Sequence, residues 1–293
     1  MTKDFRGFLL NCFIGGDINT QQPNGGWIRN RLQFSFAGCD FEIVQAPEFI
    51  SVNPADYRGQ SVITTEVIVR SVDPAHREDV IEKLRGLAVL LSFITCSQVV
   101  LHGWEHPISE PQAQFWSVVA KTAYFRPVLN IINGRVVKKY LELVWPAYFK
   151  LEKPRKLKVA FDYFVSAEAL SLPLELKLAT MFMLFENLKA TFASERGYRF
   201  KKGYYRKPSG KPWSFKLLLQ GMFCKVGINP SPDEIIVLRN EIIHSGISQM
   251  SYDEQYKIYG KCQDIAREYL LRLMGFSGSF FLYSGRGMTK NTI

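Results

Sequence analysis

Six consecutive residues, Arg239-Asn240-Glu241-Ile242-Ile243-His244, bring a guanidinium, an amide and an imidazole together. Arg can bind a pair of non-bridging phosphate oxygens. Asn can orient a hydroxyl or a phosphate, and His can move a proton near neutral pH. The chemistry these groups suit is phosphodiester cleavage. In a helix, five steps leave Arg239 and His244 about 140° apart around the axis. The two side chains therefore converge only where the helix borders a cleft or its last turn loosens. The plainer alternative is an exposed helical face closed by a capping His.

The elements that must position these groups follow from spacing. A helix is expected from Pro232 to about Ser245, with Ile235, Leu238 and Ile242 facing a core. Ser231-Pro232-Asp233-Glu234 and Ser251-Tyr252-Asp253-Glu254 both have the form of capping boxes, and Gly246 and Gly275 sit where the two helices should stop. Upstream, Pro173 opens a helix whose Leu178, Phe182, Phe185, Leu188 and Phe192 share one face and which also carries Glu186. Between these helices lies a polar insertion, Glu195 to Trp213. It holds Arg196, Arg199, Lys201, Lys202, Arg206, Lys207 and Lys211, interleaved with Tyr198, Phe200, Tyr204, Tyr205 and Trp213. Cations for phosphates beside aromatic faces for bases describe a single-stranded nucleic-acid surface. A mobile solvated loop with locally packed aromatics fits the same residues.

Earlier segments have a different texture. Trp27 to Phe36, Phe41 to Val44 and Ser61 to Val72 read as strands of an antiparallel sheet. Turns at Gly15-Gly16, Pro23-Asn24-Gly25-Gly26 and Gly38 separate them. Asp73 and Pro74 open a helix in which Val80, Leu84, Leu87 and Leu91 repeat. Val99 to Trp104 and Phe115 to Tyr124 could return to strands, the second also fitting a helix. His102 and His106 are expected in a polar loop, since Gly103 and Pro107 oppose a helical metal pair. Long helical patterns begin near Asn130: Val136 to Tyr148, kinked or ended by Pro146, then Lys156 to Leu170. The charged, proline-interrupted stretch Lys150 to Lys158 is a candidate boundary. The fold class is α+β: a β-rich domain over residues 1–130, then an all-helical domain over 131–293 with a basic insertion at 195–213.

At 293 residues and a formal charge of +10, the chain suits a polyanionic partner. Five cysteines without a CxxC pair argue against a disulfide framework or structural zinc and for a reducing cytoplasm. Neither metal nor cofactor is expected. Phe8 to Ile14 is too short for a targeting segment, and Leu87 to Leu101 is too interrupted to span a bilayer. No membrane partner is expected.

The run Leu238-Arg239-Asn240-Glu241-Ile242-Ile243-His244-Ser245-Gly246 resembles the signature of the HEPN superfamily, in which Arg is followed after four to six residues by His. Met183-Leu184-Phe185-Glu186-Asn187-Leu188 resembles the partner helix of that fold, and the similarity in organisation covers roughly Arg155 to Phe276. It is nearest the branch of bacterial abortive-infection proteins. The resemblance implies a helical domain that forms a homodimer or higher homo-oligomer, with two motifs at a shared cleft. It further implies a metal-independent endoribonuclease, an antiviral toxin controlled by a phage-derived trigger or an inhibitory partner. Carried over, Arg239 would bind the scissile phosphate, and His244 would transfer a proton to or from the 2′-hydroxyl or the leaving oxygen. Asn240 would position one of these groups, and Glu186 would orient Arg239 or His244. In one branch a Tyr two residues after the His is modified by a nucleotidyltransferase antitoxin; Gly246 stands there in this chain.

Attack by a 2′-hydroxyl needs charge stabilisation and a proton shuttle, and leaves a 2′,3′-cyclic phosphate. The rival is a non-catalytic RNA-binding or adaptor protein that uses its helical domain to dimerise. A membrane-surface protein drawn by charge is a third possibility. The β-rich half would serve as sensor, recognition domain or assembly surface.

Overall fold

The computed structural model describes residues 2–22, 25–50, 52–108, 113–118, 120–123, 126–207, 209–285 and 287–293. The expected turn at Pro23-Asn24 and the end of the run at Tyr124 lie outside them. The chain forms two compact units, Met1–Ala147 and Tyr148–Ile293.

The first unit is built on an antiparallel sheet. Its strands are β1 (Lys3–Leu10), β2 (Ile18–Gln21), β3 (Trp27–Phe36), β4 (Cys39–Gln45), β5 (Ile63–Val72), β6 (Val100–Glu105) and β7 (Ala113–Phe115). Their order across the sheet is β2-β3-β4-β5-β1-β6-β7. Strand periodicity divides the residues cleanly. Phe34 pairs with Phe41, Phe41 with Val69, and Val69 with Phe5, so these apolar residues share one face. The alternate positions carry ion pairs instead, Arg31–Glu42, Glu42–Arg70 and Arg70–Asp4.

Two helices cover the apolar face. Helix α1 (Arg77–Thr95) follows a 3-10 turn at Pro74–His76, in which the Ala75 amide donates to the Asp73 carboxylate. Val80, Leu84, Leu87 and Leu91 are buried as their spacing requires. Gly7 lets α1 come close: a Cβ there would lie 2.7 Å from the Leu84 side chain. Helix α2 (Gly134–Arg155) seats Trp145 with its ring centroid 4.5 Å from that of Phe36 and 4.9 Å from that of Phe41. The Tyr140 hydroxyl donates to the Leu90 carbonyl. These contacts draw the first half of α2 into the β-rich unit and put the division at Ala147, seventeen residues beyond the expected 130. The helix also continues through Pro146 rather than ending there.

His102 lies on β6, not in a loop, and His106 is buried just after it, its ring 5.6 Å from Phe5. Beyond β7 the run from Phe115 forms neither strand nor helix over its described residues.

The second unit contains the end of α2, then α3 (Leu157–Ala167), α4 (Leu174–Glu195), α5 (Phe215–Lys225), α6 (Asp233–Ser245) and α7 (Tyr252–Leu273). Helix α4 is central and packs against α3, α5, α6 and α7. Arg155, 2% exposed, ties its end to its surroundings by donating to Thr191, Glu195, the Leu188 carbonyl and the Tyr269 hydroxyl. The unit is not all-helical. One hairpin, β8 (Phe200–Lys201) and β9 (Tyr204–Tyr205), occupies the basic insertion. A second, β10 (Ser279–Leu282) and β11 (Thr289–Thr292), follows α7. The second is pinned by the Asp264 carboxylate, which accepts from the Tyr283 and Ser284 amides.

The α+β class therefore stands, with helices following an antiparallel sheet. Among the described residues, no helix is long and apolar enough to cross a membrane.

Candidate active site

Helix α6 carries the Arg-Asn-x-x-x-His run; its start is set by a different device than expected, and its end by Gly246 as expected. Ser231 does not cap it: its hydroxyl bonds Asp233, and Pro232 occupies the cap position without a side-chain bond. Glu234 pairs with Lys261 and Asp233 with Lys216; each bond holds its carboxyl below the usual range. Ser251–Glu254 is a true capping box and starts α7. Gly246 ends α6 in the left-handed region at φ 76°, and Gly275 follows α7 at φ 75°.

Ile235, Leu238 and Ile242 are buried, which fixes how α6 rolls against the unit. Arg239 then falls on the flank that meets α4 and α5. Its NH2 donates to Glu186 Oε1 at 2.7 Å and its NH1 to Asn240 Oδ1 at 2.9 Å. The guanidinium carbon stands 4.9 Å from the ring centre of Phe215. Glu186 is shared: its second oxygen accepts from Lys189 at 2.5 Å. The Lys189 ammonium also lies 4.7 Å from the Phe215 ring, so two cations flank one aromatic residue and one carboxylate. Arg239 Nε is buried and has no hydrogen-bond partner. A buried donor left without an acceptor costs roughly 1–3 kcal/mol, and more on a charged group.

Asn240 and His244, four residues apart, are both exposed on α6, and Asn240 reaches back to Arg239. His244 makes no hydrogen bond to any described residue. The chain just beyond it is held in place. Ser245 donates to the Glu241 and Ile247 carbonyls, and the Glu241 carboxylate accepts from Ser248 and the Gln249 amide. Val237, Ile243 and Ile247 are apolar and exposed around Asn240 and His244. Within one chain, then, Glu186, Arg239 and Asn240 are brought together, whereas His244 is exposed and bonds none of them.

The basic insertion is a folded hairpin. Lys202 and Gly203, at φ 53° and 79°, form the tight turn, the left-handed pair that suits strand twist. Tyr198 stacks on Trp213 at 5.2 Å, and Lys207 lies 4.7 Å over Trp213. Arg206 donates to the Lys201 and Gly210 carbonyls, and Arg196 lies over Phe192. Arg196, Arg199, Lys201, Lys202 and Lys211 are exposed, with Phe200 and Tyr204 exposed beside them. Residues 196–232 hold nine Lys and Arg and no Asp or Glu, nearly the whole of the chain's net +10. The hairpin leads directly to Ser214, which caps α5, and so to Phe215 beneath Arg239.

Sequence reasoning missed Lys189 and Phe215. Lys189 lies one turn after Glu186, and Phe215 follows a Ser at a helix start; both signals were present. Among the described residues no group of three or more His, Cys, Asp or Glu is gathered to hold a metal ion. Comparison with protein-family models, with curated proteins and with solved structures returned no match.

Proposed function

We propose that this protein is a HEPN-type endoribonuclease, a bacterial antiviral effector of the abortive-infection kind, cleaving RNA without a metal by 2′-hydroxyl attack. The observation that carries the reading is Arg239. It is oriented by Glu186 and Phe215, retains an unsatisfied Nε, and sits at the root of a hairpin rich in exposed cations. A phosphate oxygen is the acceptor such a nitrogen lacks. Arg239 stabilises the charge that develops on the phosphate, and Lys189 adds a second positive charge at the same carboxylate. His244 moves the proton, and Asn240, one turn before it, positions the hydroxyl or the phosphate.

Because His244 bonds none of the Arg239 cluster and stands about 140° from Arg239 around the helix, catalysis on this reading draws on a second copy. The apolar residues Val237, Ile243 and Ile247 around His244 supply a surface for it. Facing motifs would set one chain's imidazole beside its partner's guanidinium. Cytoplasmic action and a trigger or inhibitor acting on the sheet-containing unit belong to the same proposal.

The test is cleavage of single-stranded RNA in EDTA. His244→Ala and Arg239→Ala should each lower the rate by about 100-fold or more, and the wild-type product should carry a 2′,3′-cyclic phosphate. Equal rates in all three proteins refute the assignment.

One observation favours the rival, a non-catalytic RNA-binding protein. The hairpin alone offers a row of exposed cations and two exposed aromatics, independent of the geometry of α6. On that reading His244→Ala leaves RNA affinity unchanged and no RNA is cut.

A further inference from the structure

At one end of the first unit's sheet lies a cavity of about 700 Å³, remote in sequence from the Arg239 region. That is the size of pocket that holds a small organic ligand. Its lining includes the apolar Phe13, Phe49, Ile50, Val52 and Pro54 and the charged Asp17, Arg29 and Arg135. Phe13 and Phe49 meet edge to face, and Tyr57 packs against both, so the aromatic wall is preformed.

The glycine backbone lining the cavity is locked. A Cβ on Gly134 would lie 2.2 Å from the Gly16 carbonyl carbon, and one on Gly15 would lie 1.8 Å from the Ile132 oxygen. The Gly15 amide donates to the Ile131 carbonyl at 2.7 Å and the Asp17 amide to the Arg31 carbonyl at 2.9 Å. Only glycines permit this approach of the β1–β2 connection to the start of α2.

Three polar groups then show what the cavity accepts. Asp17 Oδ1 is buried and has no hydrogen-bond partner, so it calls for a donor such as a hydroxyl or an amine. Arg29 is steadied by its Nε bond to Asn19 at 2.8 Å, which leaves its outer nitrogens for an anion. Arg135 is exposed and forms no ion pair with a described residue; its amide is already capped by Asn133. Two guanidiniums against one carboxylate disfavour a cation. Two charged arginines in the lining disfavour a wholly apolar guest.

We propose that this cavity binds a nucleoside monophosphate, or a ligand of the same chemistry: a flat ring against Phe13 and Phe49, hydroxyl donors to Asp17, and a phosphate on Arg29 and Arg135. The proposal does not depend on the ribonuclease reading.

The test is isothermal titration of the full chain with adenosine and guanosine 5′-monophosphates, adenosine, and inorganic phosphate. At least one monophosphate should bind tenfold or more tighter than adenosine or phosphate. The pair Arg29→Ala and Arg135→Ala, both at exposed positions, should abolish that gain, and Asp17→Ala should weaken it several-fold. Three results overturn the proposal: no heat of binding from either monophosphate at millimolar concentration, phosphate binding as tightly as the monophosphates, or binding lost in Arg239→Ala but retained in the Arg29/Arg135 pair.

Discussion

Neutralising the exposed cations of the hairpin should flatten the salt dependence of RNA binding by a calculable amount. The variant combines Arg199→Ala, Lys201→Ala, Lys202→Asn and Lys211→Ala. All four side chains are exposed and none forms an ion pair with a described residue. Asn is chosen at 202 because the backbone there is left-handed, at φ 53°, and Asn tolerates that region. Arg206 and Lys207 are kept, since they bond the Lys201 and Gly210 carbonyls and cover Trp213. Each phosphate contact on a single strand contributes about 0.7 to the slope of log K against log salt. If all four cations meet phosphates, the slope falls by about 2.8, and wild type loses about 50-fold more affinity than the variant between 50 and 200 mM salt. Fluorescence anisotropy of a labelled single-stranded oligonucleotide, in His244→Ala to prevent cleavage, measures both slopes. The Tyr198–Trp213 stack lets tryptophan fluorescence report that the hairpin stays folded. A slope change below about 0.7, with that fluorescence unaltered, means that the hairpin is not the RNA surface.

Other consequences are independent of RNA. Trp145, fully buried against Phe36 and Phe41, should cost about 3–5 kcal/mol on replacement by Ala, read by chemical denaturation. Burial alone would raise the Glu42 carboxyl, but its bonds to Arg31 and Arg70 hold it below the usual range. Its stabilising effect is therefore present above the unfolded value of about 4.3 and is lost as pH falls through the lower folded value. Glu42→Gln should cost about 2 kcal/mol at pH 7, discounted for the exposure of both arginines, and the gap to wild type should close in acid. Burial pushes the Cys12 thiol up to about 12 and raises Cys262 as well, whereas Cys224 is exposed. At pH 8, a thiol reagent with mass-spectrometric mapping should label Cys224 well before Cys12 or Cys262.

Much of the fold could be read from spacing alone, because the readable elements are those with one buried face. Strand β3 has the bounds its alternation indicates, and the apolar positions of α1 and α4 are buried as their repeats require. The elements that escaped lack such a face or hide it. Strand β11, Thr-Lys-Asn-Thr, is polar throughout and, among the described residues, pairs with β10 alone. Helix α5, between the basic stretch and α6, is not assigned from spacing, since its apolar residues Leu218, Leu219, Met222 and Phe223 span barely two turns. Ser231 has a capping residue's type, but Asp233 takes its hydroxyl. The domain limit moved for a similar reason: Trp145 is as apolar as any core residue, and nothing local says which core it joins.

The candidate site divides along the same line. Which residues belong to the motif follows from their types and order, but which of them meet depends on the roll of α6, and that is set by what Ile235, Leu238 and Ile242 pack against. Once those three are buried, Arg239 must turn toward α4, where Glu186 and Lys189 wait at one turn's spacing, and His244 must turn outward. Glu186→Gln separates a positioning role from a purely structural one. The pairing is partly exposed, so its loss should cost only about 1 kcal/mol of stability. If Glu186 holds the Arg239 guanidinium in its working orientation, the turnover rate should fall at saturating RNA while RNA affinity holds. If affinity and rate both stay at the wild-type level, Glu186 merely neutralises two cations and the orientation argument fails. If affinity alone changes, Arg239 binds the strand without acting on the phosphate that is cut.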